Sequence, residues 1–127
     1  ALWQAVGARV KHMDAAAHDA AFAAVSHLPQ LLAYAYMRQM AHAPEAEAWL
    51  RLAGSGFRDF SRLAASEPMM WTDIALANRE NLLALLDGQQ QQLARLRECL
   101  AQEDGVGLRE MFAEASTARR EWENRRE

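Results

Sequence analysis

The apolar positions of this chain recur at three- and four-residue steps over most of its length, which is the spacing of a helix face and not of a strand. From Asp14, an N-cap by residue type, Phe22, Val25, Pro29, Leu32 and Tyr36 follow one another at that spacing, with Leu28, Leu31 and Ala35 on a second side. A helix apolar around most of its circumference belongs in a core or an interface, and Ala20, Ala21, Ala23 and Ala24 let another helix come close. Pro29 interrupts it: the ring crowds the preceding turn, the bond to the Val25 carbonyl is lost, and a kink is predicted there. Ser26, His27 and Gln30 flank that break.

Beyond Ala43 and Pro44 the pattern predicts a short helix through Trp49 and Leu52, a glycine turn at Gly54-Ser55-Gly56, and a helix from Phe57 to Ala65. Ser66 is read as the cap of the next helix, with Glu67 and Pro68 in its first turn. Trp71, Ile74, Ala75, Asn78, Leu82 and Leu85 mark its inner face, and Asp87-Gly88 its end. Two amphipathic helices complete the chain, one through Leu93, Leu96 and Leu100 and one through Leu108, Met111, Phe112, Ala115 and Trp122, separated by Asp104 to Gly107. Residues 1–13 differ, with a short β-like run at Ala8 to Met13 that has no ladder to join; they read as the end of a preceding domain or linker, and 14–127 as the helical domain.

Composition agrees with an all-α, multi-helix class. Half the residues are apolar (51%) and 24% are charged, the balance of a folded chain. Only Val6, Val10, Val25, Val106 and Ile74 are β-branched aliphatics. The net charge of −3 and the scattered arginines give no cationic footprint for nucleic acid. From Ala20 to Met37 there are eighteen residues without a formal charge, but Ser26, His27, Pro29 and Gln30 in their midst make this a buried helix and not a membrane span. The single Cys99 lies between Leu96 and Leu100 and reads as a packing residue; with no disulfide pair and no signal peptide, a cytoplasmic setting is expected.

Two constellations carry chemistry. In HDAAFAAVSHLPQ (18–30), His27 and Gln30 share a face, whereas His18 falls on roughly the opposite side of a straight helix. Histidines that merely satisfy backbone carbonyls are the plainer alternative. In GSGFRDFSRLAAS (54–66), Asp59 and Arg62 stand three apart after a glycine turn, able to present a guanidinium to a carboxylate or to form an ordinary surface ion pair. Dinucleotide and phosphate loops, zinc cysteines and a nucleophile elbow are missing, and the histidines have no metal-site spacing, so no metal is expected.

Together with EPMMWTDIALANRENLL (67–83), these blocks resemble the C-terminal domain of prephenate dehydrogenases, where HDxxFAxVSHLPH precedes GGGFRDFTRIAxSDPxMWxDIxxxN; the resemblance runs in order from Asp14 to Trp122. It implies the helical dimerisation domain of a two-domain enzyme of the 6-phosphogluconate dehydrogenase-like type. A nucleotide-binding domain with the histidine that assists deprotonation would precede it, and NAD or NADP would bind in the full-length parent and not on this chain alone. The implied reaction is oxidative decarboxylation of prephenate (or arogenate) in tyrosine biosynthesis. The implied substrate-binding residues are Arg62, on a carboxylate, then His27, Asp59, His18, Gln30 and Ser26, in a homodimer. Gln30 replaces a family histidine and Ser55 a glycine. These departures keep open a second reading, a helical interaction or oligomerisation module without catalysis. A helical domain of another two-domain dehydrogenase fits the Asp59, Arg62 and Trp71 context less well.

Overall fold

A computed structural model describes residues 13–126, and all the described secondary structure is helical. The chain divides into two compact units, Ala1–Leu85 and Leu86–Glu127. In the first, α1 (Ala15–Phe22) runs into a π turn (Ala23–His27) and then α2 (Leu28–His42). Asp14 caps α1, accepting the Ala17 N–H at 2.8 Å. The π turn is the form the predicted kink takes. Leu28 N–H reaches back to the Ala23 carbonyl, which widens the helix immediately ahead of the Pro29 ring, where a regular turn would be crowded.

Around α2 are packed α3 (Ala46–Arg51), α4 (Ser55–Ser61) and a 3-10 turn (Arg62–Ala65). Small side chains make this close: Ala23 and Ala33 are buried, and so is Leu82 further along. Gly54 is the N-cap of α4, in extended backbone; Ser55 and Gly56, expected in the turn, already form the first turn of the helix.

Two boundaries differ from expectation. The cap of α5 (Pro68–Ala77) is Glu67 and not Ser66: its carboxylate accepts the Met69 and Met70 N–H groups at 3.1 and 2.7 Å. Pro68 at the first helical position dictates this, because the residue before a proline is held extended and becomes the cap. Asp87-Gly88 does not end a helix; α6 runs unbroken from Arg79 to Ala101, and the interruption lies at Asn78 (φ −114°, ψ 31°). Leu82, Leu85, Leu86, Gln89, Leu93 and Leu96 continue one register through Gly88, and a mid-helix glycine costs only about 1 kcal/mol.

In the second unit, α6 ends in a Schellman motif. Asp104 N–H bonds the Cys99 carbonyl at 2.8 Å, Glu103 N–H bonds that of Leu100 at 3.2 Å, and Glu103 takes the left-handed conformation (φ 52°) usually given to glycine. Asp104 then caps α7 (Gly105–Arg125), accepting the Gly107 N–H at 2.8 Å, so the Asp104-to-Gly107 segment is mostly the start of that helix. A Cβ at Gly107 would come within 2.4 Å of the Asp104 carboxylate and 3.0 Å of Cys99 Sγ, so a larger residue there would have to push the capping carboxylate aside. Cys99 is buried against this cap, in the packing role expected of it. The C-terminal stretch is helical and exposed, with Arg119 paired to Glu123 at 2.9 Å and stacked over Trp122. Among the described residues no helix is long and apolar enough to cross a membrane. The β-like run at Ala8 to Met13 lies, Met13 apart, outside the described residues.

Candidate functional site

Three local devices bring the candidate residues to their places in the first unit. The π turn carries Ser26 and His27, and Pro29 starts α2. Gln30, one turn on, is buried, and its Nε2 donates to the Leu63 carbonyl at 2.6 Å. That bond ties the start of α2 to the 3-10 turn immediately beyond Arg62. A second tie lies further along α2, where the Tyr34 hydroxyl donates to the Ser66 carbonyl at 2.9 Å. Within α4, the Ser61 hydroxyl donates to the Phe57 carbonyl at 2.7 Å.

His27 is held from another direction. Its Nδ1 lies 3.3 Å from Asn78 Nδ2, and its ring meets Trp71 edge-on at 5.9 Å between centroids. Asn78 Nδ2 also donates to the Asp19 carbonyl at 2.8 Å, and Asn78 Oδ1 accepts from Asn81 Nδ2 at 2.8 Å. The break between α5 and α6 is thus fastened to both α1 and the π turn. Ser26 and His27 are half-buried. Neither Ser26 Oγ nor His27 Nε2 has a hydrogen-bond partner among the described residues.

Arg62 is exposed and lines a cavity of about 550 Å³ together with Met37, Gly54, Phe57, Arg58 and Ser61. Arg58 and Arg62 lie one helical turn apart, and among the described residues neither has an acidic partner; the cavity therefore carries uncompensated positive charge. Asp59 is exposed and forms no ion pair with Arg62. The two stand three apart, Asp59 in the last turn of α4 and Arg62 at the first position of the 3-10 turn, and their side chains do not meet. His18 is exposed, stacked on Phe22 at 4.4 Å with Nδ1 3.6 Å from the Asp19 carboxylate; no bond or ring contact joins it to His27 or Gln30. The structure thus links Gln30 to the Arg62 turn and His27 to Trp71 and Asn78, and leaves His18 and Asp59 apart. Asn78 and Arg58 were not singled out from the sequence as site residues. The signal for Asn78 was an amide in an otherwise apolar helical stripe.

The profile described as "Prephenate dehydrogenase, dimerization domain" matches residues 14–114. Cyclohexadienyl dehydrogenase of Zymomonas mobilis is 38% identical over 119 residues, 92% of this chain and 41% of that protein. Prephenate dehydrogenase of Bacillus subtilis is 31% identical over 119 residues, 93% of this chain and 32% of that protein. Among solved structures, arogenate dehydrogenase of Synechocystis superposes with a TM-score of 0.87 at 27% identity, over 94% of this chain and 44% of that one. Prephenate dehydrogenase of Aquifex aeolicus, solved with hydroxyphenyl propionate and NAD+, does so at 0.84 and 37% identity, over 94% and 42%. The chain spans less than half the length of each of these relatives. With sequence, helical fold and order of blocks in agreement, the chain belongs to the prephenate dehydrogenase dimerisation-domain family.

Proposed function

We propose that this chain is the substrate-binding and dimerising C-terminal part of a dehydrogenase acting on prephenate or arogenate, with residues 14–127 as the helical domain and 1–13 as the end of a nucleotide-binding domain. The parent oxidises the ring hydroxyl, loses carbon dioxide and gives an aromatic product, with NAD or NADP as hydride acceptor, in the cytoplasm. No described residue of this chain is part of a strand or a glycine-rich phosphate loop, and the dinucleotide is assigned to the parent's nucleotide-binding domain.

The observation that carries the reading is a guanidinium without an acidic partner among the described residues, Arg62, lining a cavity on a turn that Gln30 fastens to the start of α2. Prephenate has two carboxylates, and a planar fork that binds both oxygens of one supplies orientation as well as attraction. His27 and Ser26 offer hydrogen bonds from the π turn. Gln30 acts through the backbone it holds, which leaves the family's histidine position without a group that reaches ligand. Asp59 and His18 act at the mouth of the site or toward a second subunit. The departure at Gln30 also supports the alternative of a non-catalytic oligomerisation module.

The deciding experiment is steady-state turnover by the full-length parent, followed by appearance of the reduced nicotinamide, with prephenate and with arogenate. Turnover of either supports the dehydrogenase reading; turnover of neither, with NAD or NADP, leaves the module.

A further inference from the structure

Asn78 is in contact with three different parts of the first unit through one side chain. Its Nδ2 donates to the Asp19 carbonyl at 2.8 Å and lies 3.3 Å from His27 Nδ1; its Oδ1 accepts from Asn81 Nδ2 at 2.8 Å. A backbone carbonyl can only accept, so the bond to Asp19 fixes which end of the Asn78 amide faces it. Turning the amide over would set two acceptors against each other there and two donors against each other at Asn81. With Nδ2 so fixed, its second hydrogen points to His27 Nδ1, and that nitrogen has to be the unprotonated one. The proton of a neutral ring then sits on Nε2, the nitrogen that has no hydrogen-bond partner among the described residues. Trp71, edge-on at 5.9 Å, limits rotation of the ring.

We propose that Asn78 is a positioning residue that holds His27 as the neutral Nε2–H tautomer, so that His27 offers a single N–H donor to an oxygen of the substrate. The substrate clause rests on the reading of His27 as a pocket residue given above. Asn78 stands at the break between α5 and α6 (φ −114°, ψ 31°), and from there its side chain reaches both α1 and the π turn.

The test is nitrogen NMR of the parent enzyme with isotope-labelled histidine, the His27 signals being identified by their loss in His27→Gln. The wild-type ring is expected to show a pyridine-type Nδ1 and a pyrrole-type Nε2. In Asn78→Asp a carboxylate, which can only accept, faces Nδ1; the proton moves to Nδ1, and KM for prephenate rises about tenfold, the scale of one lost hydrogen bond to a charged group, while kcat stays within about twofold. A wild-type ring protonated on Nδ1 overturns the inference, and so does a reversed tautomer in Asn78→Asp with KM unchanged. Should that variant not fold, the wild-type spectrum still decides. A silent His27→Ala refutes the pocket reading itself; a wrong tautomer beside a KM-sensitive His27→Ala refutes this inference alone.

Discussion

Gln30 shows how one side chain can change its meaning between sequence and structure. Next to a proline and a histidine it reads as a group for a ligand, a weaker substitute for a second histidine. In the fold it is 2% exposed and spends its amide on the Leu63 carbonyl. Nothing in its spacing announces that, because the acceptor lies 33 residues away on a turn whose own geometry is irregular. Replacing it with leucine leaves that carbonyl without its donor, and we predict a loss of about 1–3 kcal/mol in stability, read from the urea midpoint. A midpoint unchanged from wild type would mean that the bond contributes nothing net. Other single residues were legible. Asp14 caps α1 because its short carboxylate reaches the third N–H of the helix, and Cys99 is buried where the leucine pattern placed it. Asp59 and Arg62 read from their spacing as a possible ion pair, and the fold leaves them unpaired with each other.

At the scale of elements, the helices came from periodicity and the errors from punctuation. Asp87-Gly88 reads as a stop, although the leucine register runs on through it, and the break at Asn78 carries no glycine or proline. Asn78 is marked instead by tertiary bonds to Asp19 and His27, which a one-dimensional pattern does not contain. The cap of α5 was displaced by one residue because Pro68 was not used to fix it. That cap makes a prediction about pH. Bonds from the Met70 N–H and then the Met69 N–H hold the Glu67 carboxyl below its ordinary value. Its folded-state value lies under the unfolded one, so its contribution is present above the unfolded carboxylate range and is lost as pH falls through the folded value. Thermal unfolding of wild type and Glu67→Gln should therefore differ most near neutrality and converge on acidification. A gap of constant size across that range contradicts the assignment.

For the whole molecule, the exposed apolar side chains of the described residues matter more than its small core. Val25 is 75% exposed on the π turn, Leu52 85%, Met69 73% and Leu76 65%. Apolar surface on this scale marks an interface, in keeping with the family's dimerisation domain. The charge-free stretch around the π turn was already the sign of this in the sequence, although which faces meet a partner was not. We predict a dimer at micromolar concentration by sedimentation velocity; a monomer there contradicts this. The central claim remains that Arg62, on its fastened turn, holds a substrate carboxylate. Its most direct test is equilibrium binding of prephenate to the full-length parent and to Arg62→Ala. The substitution is expected to weaken binding by roughly 2–4 kcal/mol, the cost of removing a charged partner, with the fold intact by circular dichroism. Equal affinity in the two proteins would contradict it.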